Sequence, residues 1–296
     1  MRSNALEAGK GAPVYDAPFP FLGGRTSFPV KPTVKDLMGW LETVAPLSIS
    51  EKWDNPGLQV GSYGQQIRKI MLSLDPTVEA VREARRRNAQ VLLVHHPLLF
   101  KPLSCLNLDT YPGTVIQESL QGNVSIVAIH TNLDGAAEGI NQILAELLSL
   151  QDVEPLQEIP QYPEGGMGRV GTLPERTSVG LLAERLKSLL SAEKVRIIGS
   201  TDRPVGRIAL LGGAGGSMIS RAVEMGADVF VTGDVTYHQA LEAKTLGLAL
   251  IDAGHFCTER TAYHHFGNRL KHLFREKQVT VEVEMYQEER DPFAYE

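Results

Sequence analysis

Short apolar runs alternate with amphipathic stretches along most of the chain, and this alternation predicts strands and helices in turn. The runs at 91–94, 124–128, 229–231 and 249–251 are almost wholly apolar. Continuous apolar strands are typical of parallel sheets that are covered by helices on both faces. The pattern therefore predicts an α/β fold.

The first half of the chain is predicted to begin with a helix at Thr33. Asp36 stands three residues after Thr33 in a capping-box-like pattern, and apolar residues follow at helical spacing. The further elements predicted in this half are strands over 67–74, 91–94 and 124–128, and helices over 76–88, 114–120 and 138–150.

A segment rich in Pro, Gly and Glu over 154–171 separates this half from the next and is interpreted as a boundary or a long loop. The elements predicted after it are helices over 178–191, up to 225 and over 237–246, and strands over 195–198, 208–211, 229–231 and 249–251. We therefore expect one α/β domain over 33–153 and a second over 154–296, with the C-terminal helix and strand returning to the first.

The two halves repeat one order of elements. In each, a helix and a short apolar strand lead to a polar cluster, and a second helix and strand lead to another. These clusters begin at His95 and His130 in the first half, and at Thr232 and His255 in the second. Ligands collect at the carboxyl ends of strands in open α/β sheets. The repeat therefore predicts two related units facing each other across one site.

Composition narrows the class of protein. With 296 residues, 43% hydrophobic and 22% charged, the chain is globular and long enough for two domains. The formal net charge is −6, and the densest basic run, Arg85 to Arg87, continues a predicted helix as a solvated face. Bulk electrostatic binding of nucleic acid is not expected.

Cysteine usage and the terminal segment indicate where the protein works. Two cysteines provide no disulfide framework and indicate a reducing, cytoplasmic compartment. No segment has the ~18 consecutive apolar residues that a membrane span needs. Residues 1–32 lack the continuous apolar core of a signal peptide and are interpreted as a loosely ordered extension.

Imidazoles and carboxylates at the predicted strand ends point to metal chemistry. His95 and His96 end a strand just before Pro97, which forces a turn, so both rings could address one pocket. His255 and Glu259 are four residues apart after Gly254, which places them one helical turn from each other. For each pair the alternative is an ordinary structural or solvated role.

Asp134 completes the candidate ligand set of His95, His96, Asp134, His255 and Glu259, although Asp before Gly is also a common turn signal. This mixed nitrogen and oxygen shell suits two divalent transition-metal ions per chain, with Zn, Fe, Mn and Ni as candidates, that share a bridging carboxylate. The acid/base or supporting candidates are His130, Asp234 and His238, with helix capping as the alternative for Asp234. The glycine-rich stretch over 212–217 resembles an anion-cradling turn but matches no phosphate-binding motif.

Six ordered motifs resemble the Nif-three-like family, the YbgI-type proteins labelled type-two GTP cyclohydrolase I homologues. They are Glu51-Lys52-Trp53-Asp54-Asn55-Pro56-Gly57-Leu58, Val94-His95-His96-Pro97, His130-Thr131-Asn132-Leu133-Asp134, Gly168-Arg169-Val170-Gly171, Thr232-Gly233-Asp234, and Asp252-Ala253-Gly254-His255 with Thr258-Glu259. The resemblance covers about residues 33–285. It implies two interlocked α/β domains, a dinuclear metal centre between them with these same five ligands, and a toroidal homo-hexamer whose metal sites face a central cavity.

Two classes of function fit these observations. The first is a dinuclear-metal-dependent hydrolase acting on a nucleotide-like small molecule, in which the ions lower the pKa of a bound water from ~15.7 towards ~7. The second is a non-enzymatic metal-binding carrier or protein-interaction scaffold. An open coordination position beside a cavity would favour the enzyme, and closed coordination would favour the carrier.

Overall fold

The structure of the protein is a computed structural model, and it describes residues 31–294. The predicted extension over 1–32 lies outside the described residues except for its last two positions. Of these, the carbonyl of Pro32 accepts a hydrogen bond from the backbone N–H of Ile67 at 2.7 Å. The described chain has two β-sheets with helices packed on them, so the predicted α/β class is confirmed.

The first sheet has five strands in the order β1-β4-β3-β2-β11. Strands β2, β3 and β4 run parallel, β1 joins the β4 edge antiparallel, and β11 returns from the C-terminus to pair parallel with β2. The bounds are β1 Gly57–Val60, β2 Lys69–Ser73, β3 Val91–Val94, β4 Ser125–Ala128 and β11 Glu282–Met285.

The second sheet has six strands in the order β5-β6-β8-β9-β10-β7. Strands β8, β9 and β10 run parallel, β7 joins the β10 edge antiparallel, and β5 and β6 form an antiparallel extension beside β8. The bounds are β5 Gln151–Glu158, β6 Gly166–Ser178, β7 Arg196–Ile198, β8 Pro204–Ala214, β9 Val229–Gly233 and β10 Ala249–Asp252.

The helices follow the same order in both halves. A helix precedes β1 and another precedes β7, and single helices connect the parallel strands of each sheet. The bounds are α1 Val34–Glu42, α2 Val78–Arg86, α3 Gly113–Gly122, α4 Thr131–Gly135, α5 Ile140–Leu147, α6 Val179–Leu190, α7 Ile219–Glu224, α8 Tyr237–Thr245 and α9 His255–Glu276. The repeat predicted from the sequence is therefore seen in the structure as the same order and pairing of strands and helices in both halves.

One hydrophobic core is shared by the two halves. Alternate residues of β3 point to opposite faces, so Leu93 joins this shared core while Leu92 packs outward. Ile208 and Val229 of the second sheet lie in the same core as Leu93, together with apolar residues of α1, α5, α6 and α9. Separate clusters cover the outer face of each sheet. The inner faces of the sheets therefore stabilise each other through a common layer of helices.

Several local predictions are confirmed and one is wrong. Thr33 caps α1 in a capping box with Asp36, as the sequence predicted. The segment over 154–171 is not a long loop, because most of it belongs to the paired strands β5 and β6. The residues that follow β4 form the short helix α4. The proposed domain division between residues 153 and 154 falls within β5, the first strand of the second sheet.

Candidate metal centre

The carboxyl ends of parallel strands from both sheets bring their polar residues to one place. Strand β3 leads directly into His95 and His96, and β4 leads into His130. Strand β10 leads into α9, whose first residue is His255 and whose next turn carries Glu259. Gly254 before this helix has a φ of 86°, a conformation that glycine adopts without strain.

Three imidazoles at this centre are each held through Nδ1. The Nδ1 atom of His95 lies 2.9 Å from the carbonyl oxygen of Ile129, that of His96 lies 2.8 Å from Asp75 Oδ1, and that of His255 lies 2.7 Å from Asp234 Oδ2. Because each partner is an acceptor, each Nδ1 carries the proton and donates it. Nε2 of every ring is therefore the nitrogen turned towards the centre, and it could bind a metal ion in exchange for any proton it carries, as in carboxylate–histidine–metal arrangements.

The free nitrogens converge with two carboxylates. Oε2 of Glu259 lies 3.0 Å from His96 Nε2 and 2.9 Å from His255 Nε2, and these two nitrogens are 3.3 Å apart. His95 Nε2 lies 3.5 Å from Asp134 Oδ1 and 3.6 Å from Glu259 Oε1. The five residues predicted as ligands are thus brought together.

Two atoms of this group show why the residues fit a cation. His95 Nε2 is buried and has no hydrogen-bond partner among the described residues, and Glu259 Oε2 is buried between the Nε2 atoms of His96 and His255. A buried polar atom without a partner is costly, and acceptor atoms gathered around a common point are stabilised by a positive charge. The donor set of imidazole nitrogens and carboxylate oxygens is the set that divalent transition metals prefer.

His130 belongs to the same cluster. Ligand atoms of His95, His96 and His130 lie within 4.8 Å of one another, and so do those of His96, His255 and Glu259. The two triplets share His96, an arrangement compatible with two neighbouring ions. Nδ1 of His130 lies 2.9 Å from Asp54 Oδ1, so this ring is oriented in the same way as the others.

Burial and neighbouring ionisable groups shift the pKa values of the three imidazoles. Burial lowers the pKa of His95 to about 4. Burial also disfavours the charged form of His96, but hydrogen bonds to Asp75 and Glu259 outweigh it and raise its pKa to about 10. The same balance, with Glu259 and Asp234 as partners, raises the pKa of His255 to about 9. His95 is therefore neutral, whereas His96 and His255 would each release a proton from Nε2 on binding a metal ion.

The two carboxylates respond in opposite directions. Burial, followed by the charge of Glu259, raises the pKa of Asp134 well above its usual value. Burial acts in the same direction on Glu259, but the surrounding imidazoles, His95 foremost, hold its pKa well below the usual value. Glu259 is thus the negative centre of the cluster.

Two glycines make room for this packing. A Cβ on Gly213 would lie 2.1 Å from Glu259 Oε1, and a Cβ on Gly233 would lie 2.5 Å from the backbone nitrogen of His255. Gly213 also has a φ of 70°. The glycine-rich stretch over 212–217 therefore allows the backbone to approach the carboxylate of Glu259 closely. The sequence had suggested only a resemblance to an anion-cradling turn for this stretch.

A cavity of about 530 Å³ opens beside the centre. His96, His255 and Asp75 form part of its wall at the metal-binding end. Its other lining residues are Leu74, Lys194, Arg196, Asp234, Asp252, Gly254, Phe256, Asp291, Pro292 and Phe293. The volume falls within the ~300–1,000 Å³ range of small-molecule sites.

The remaining predicted site residues have different surroundings. Asp234 is exposed and orients His255, while His130 faces the imidazole cluster. His238 is exposed on the first turn of α8, where its ring packs edge-on against Tyr237, and it does not line the cavity.

Asp75 and Asp54, which orient the rings of His96 and His130, were not identified from the sequence. Asp75 follows the apolar strand β2 directly, which is the same signal that marked the other polar clusters. Asp54 lies in the turn before β1, where nothing in the local sequence separates an orienting carboxylate from an ordinary turn residue. Although burial disfavours its charged form, hydrogen bonds to His130 and Thr131 lower the pKa of Asp54 to about 2.

Within residues 31–294, no helix is both long enough and apolar enough to cross a bilayer.

Comparison with known proteins gives a consistent result. A family model described as Duf34/NIF3 (NGG1p interacting factor 3) matches residues 32–292. A Clostridium perfringens protein named GTP cyclohydrolase 1 type 2 homolog is 32% identical over 262 residues, which cover 88% of this chain and 99% of the relative.

Solved structures agree with the sequence matches. A Staphylococcus aureus hypothetical protein is similar with a TM-score of 0.85 and 29% identity, over 90% of this chain and 99% of that one. A Bacillus cereus protein related to NIF3 is similar with a TM-score of 0.83 and 26% identity, over 89% of this chain and 99% of that one.

Proposed function

Because the chain belongs to the Duf34/NIF3 family, we propose that it is a dinuclear-metal-dependent hydrolase acting on a nucleotide-like small molecule. The observation that carries this proposal is the convergence of imidazole Nε2 and carboxylate oxygen atoms beside a cavity, with every ligand imidazole already oriented through Nδ1. The name of the relatives, GTP cyclohydrolase 1 type 2 homolog, supports a nucleotide-like substrate.

The proposed ligands of two divalent ions are His95, His96, Asp134, His255 and Glu259. When bound, such ions would supply Lewis-acid polarisation and a nucleophile at neutral pH. Glu259 contacts His95 and His96 from the first half of the chain and His255 from the second, so its carboxylate would be a ligand common to both halves.

Three further residues are proposed to handle or position protons. Asp234 orients His255 by accepting from its Nδ1. His130 faces the ligand imidazoles with its Nδ1 on Asp54, so it is positioned to exchange a proton with a substrate atom at the centre. His238 is proposed to act from α8, at the periphery of the site.

Metal analysis tests the ligand assignment. We expect close to two transition-metal ions per chain in the dialysed protein, and a sharp fall in His255→Ala and in Glu259→Ala. A matched control exists on the same helix, because His272 and Glu276 form another His–Glu pair four residues apart, with side chains 72% and 63% exposed. His272→Ala should keep full occupancy, and full occupancy in both site variants would contradict the assignment.

Turnover assays test the enzyme proposal. With GTP and model phosphodiesters as substrates, His95→Ala should abolish hydrolysis even where the fold survives. Asp234→Asn and His238→Ala should reduce turnover while metal is retained, as supporting or proton-transferring groups do. Absence of hydrolysis by the fully metallated protein across a broad nucleotide panel would favour a metal carrier or an interaction scaffold.

We also propose that the protein is a cytoplasmic homo-hexamer. Family membership supports the assembly, and the sparse cysteine usage supports a reducing compartment. Light scattering on the purified protein measures the mass directly, and a monomeric mass would contradict the assembly.

A further inference from the structure

Two aromatic side chains stand exposed at the His130 side of the metal centre. Trp53 is 56% exposed and Phe100 is 47% exposed. Their ring centroids are 5.6 Å apart, and the Trp53 ring meets His130 edge-on at 6.0 Å. The His130 ring in turn lies 5.1 Å from His95. An aromatic surface thus continues directly from the candidate metal ligands.

The two segments that carry these rings are tied together. The side chain of Asn55 donates to the carbonyl oxygen of Leu99 at 2.6 Å, and Gln59 Oε1 accepts from the backbone N–H of Leu99 at 3.0 Å. Both backbone groups of the residue before Phe100 are therefore held by side chains from the Trp53 segment. These bonds hold the two segments next to each other, and the planes of the two rings are inclined by 50°.

The Trp53 segment is also tied to the centre. The side chain of Asp54 is fully buried, and its carboxylate accepts hydrogen bonds from His130 Nδ1 and from the backbone N–H of Thr131, at 2.9 and 3.0 Å. Asp54, the residue next to Trp53, thus orients the His130 ring and holds the backbone of Thr131. Two exposed aromatic rings in contact with each other and next to a buried polar cluster form a contiguous apolar surface of the kind that binds ligands.

We propose that Trp53 and Phe100 form a stacking surface for the planar heteroaromatic ring of the substrate, with the reacting end of the molecule at the metal cluster. This inference rests on the proposed function and specifies its substrate class as a nucleobase-bearing compound. Indole and phenyl faces bind any flat heteroaromatic ring, and a nucleobase supplies one.

A single-tryptophan protein makes the surface directly observable. The chain has two tryptophans, and Trp40 packs edge-on against Phe274 at 5.0 Å, so Trp40→Phe keeps an aromatic ring there and leaves Trp53 as the reporter. Metal-loaded Trp40→Phe protein is titrated with guanosine 5′-monophosphate and, separately, with ribose 5-phosphate, which has no base. We expect quenching of Trp53 fluorescence and measurable affinity with the nucleotide, and at least tenfold weaker binding of the sugar phosphate.

Substitutions then assign the difference to the rings. Measured by calorimetry in the otherwise native chain, Trp53→Ala should weaken nucleotide binding roughly 5- to 150-fold, the range that one stacked base contributes. Trp53→Phe should recover most of the affinity, and Trp53→Leu should not. Tyr63→Ala removes a 53% exposed aromatic beyond the far end of β1 and is the matched control, with unchanged affinity expected.

Failure of the stacking surface and failure of the hydrolase activity give different experimental results. Equal binding of both probes, or unchanged affinity in Trp53→Ala with full metal content, would overturn the stacking surface. A change of molecular mass in Trp53→Ala would assign the two rings to a contact between copies of the chain, and would overturn it too. Stacking without any hydrolysis product by chromatography would contradict only the hydrolase.

Discussion

At the scale of single residues, the acceptors on Nδ1 decide what the imidazoles can do. Asp75 accepts from His96, and Asp234 accepts from His255, so both rings turn Nε2 towards the centre. A carboxylate partner also makes the ring a more basic ligand. Asp75 and Asp234 would therefore raise the affinity of the candidate ligands for a metal ion without contacting the ion themselves.

We expect Asp75→Ala to weaken metal binding roughly 10- to 100-fold, the usual cost of removing such a partner, and Asp75→Asn to weaken it less because the amide oxygen still accepts. Competition with a chelator of known affinity measures the change. Asp291→Ala is the control, since Asp291 lines the same cavity but its carboxylate accepts from the backbone of Phe293. Equal losses in both variants would point to a general change in cavity charge.

Glu289 provides a second test at this scale. Its Oε1 accepts from Ser73 Oγ at 2.6 Å and from the backbone N–H of Asp75 at 3.1 Å, while its Oε2 is buried without a hydrogen-bond partner in the described chain. Burial raises the pKa of Glu289 above its usual value of 4.5. The folded protein thus binds this proton more tightly than the unfolded chain does.

The stability contributed by Glu289 is therefore greatest below about pH 4.5 and is lost as pH rises through its raised pKa. We expect Glu289→Gln, which keeps the acceptor, to become more stable relative to the native protein as pH rises through that range. Glu289→Ala should cost about 1–3 kcal/mol because it leaves backbone N–H groups unpaired. Urea unfolding at several pH values measures both, and a stability difference independent of pH would contradict the assignment.

At the scale of elements, the end of β8 and the start of α9 are fitted to each other. Gly213 lies against Glu259, and its backbone N–H donates to Thr258 Oγ1 at 3.0 Å. A strand with a side chain at this position could not approach the helix so closely. The glycine therefore determines where the ligand carboxylate lies.

We expect Gly213→Ala to lose metal because its new methyl group displaces the Glu259 carboxylate. Gly226→Ala is a close control, since Gly226 has the same φ of 70° but a Cβ added there would meet no atom within 4 Å. Both variants should lose about 1 kcal/mol from the strained backbone, and only Gly213→Ala should show reduced metal occupancy. Equal metal content in the two variants would contradict the steric argument.

At the scale of the whole molecule, the halves are joined through their interior. Residues of both sheets lie in one hydrophobic core with the helices between them. The hydroxyl of Tyr263 on α9 donates to the carbonyl of Leu93 on β3 at 3.1 Å, and β11 follows α9 into the first sheet. Neither half buries its inner face without the other.

We therefore expect a single cooperative thermal transition, seen at the same temperature by circular dichroism and by tryptophan fluorescence. Removal of metal with a chelator should lower the midpoint by roughly 5 °C, because a ligand at 100 times its Kd stabilises the folded state by about 2.7 kcal/mol. His272→Ala, which leaves the centre intact, should show the same chelator-induced shift. Two separate transitions would show that the halves unfold independently.

A further expectation concerns the amino-terminal residues. Deleting residues 1–30 should leave thermal stability and metal content unchanged, because that stretch has no periodic apolar face to bury. Pro32 is retained because its carbonyl accepts from Ile67. A large fall in the melting temperature of the shortened protein would show that these residues pack on the core or on a neighbouring subunit.

The sequence alone determined the class of fold, its internal repeat and the five candidate ligands, because these depend on local patterns. An apolar run predicts a buried strand, and the polar residues that follow it must lie at the strand's end, as His95 does after β3. The capping box at Thr33 is equally local and was equally readable.

Only the tertiary structure decided which atoms meet. Strands β5 and β6 carry no clear apolar period, because they are stabilised by pairing with each other and with β8. The pairing of β11 with β2, and the contact of His96 with Asp75, join residues that lie far apart in sequence. Such contacts depend on how the sheets pack around the shared core, and a local pattern of residues does not contain that information.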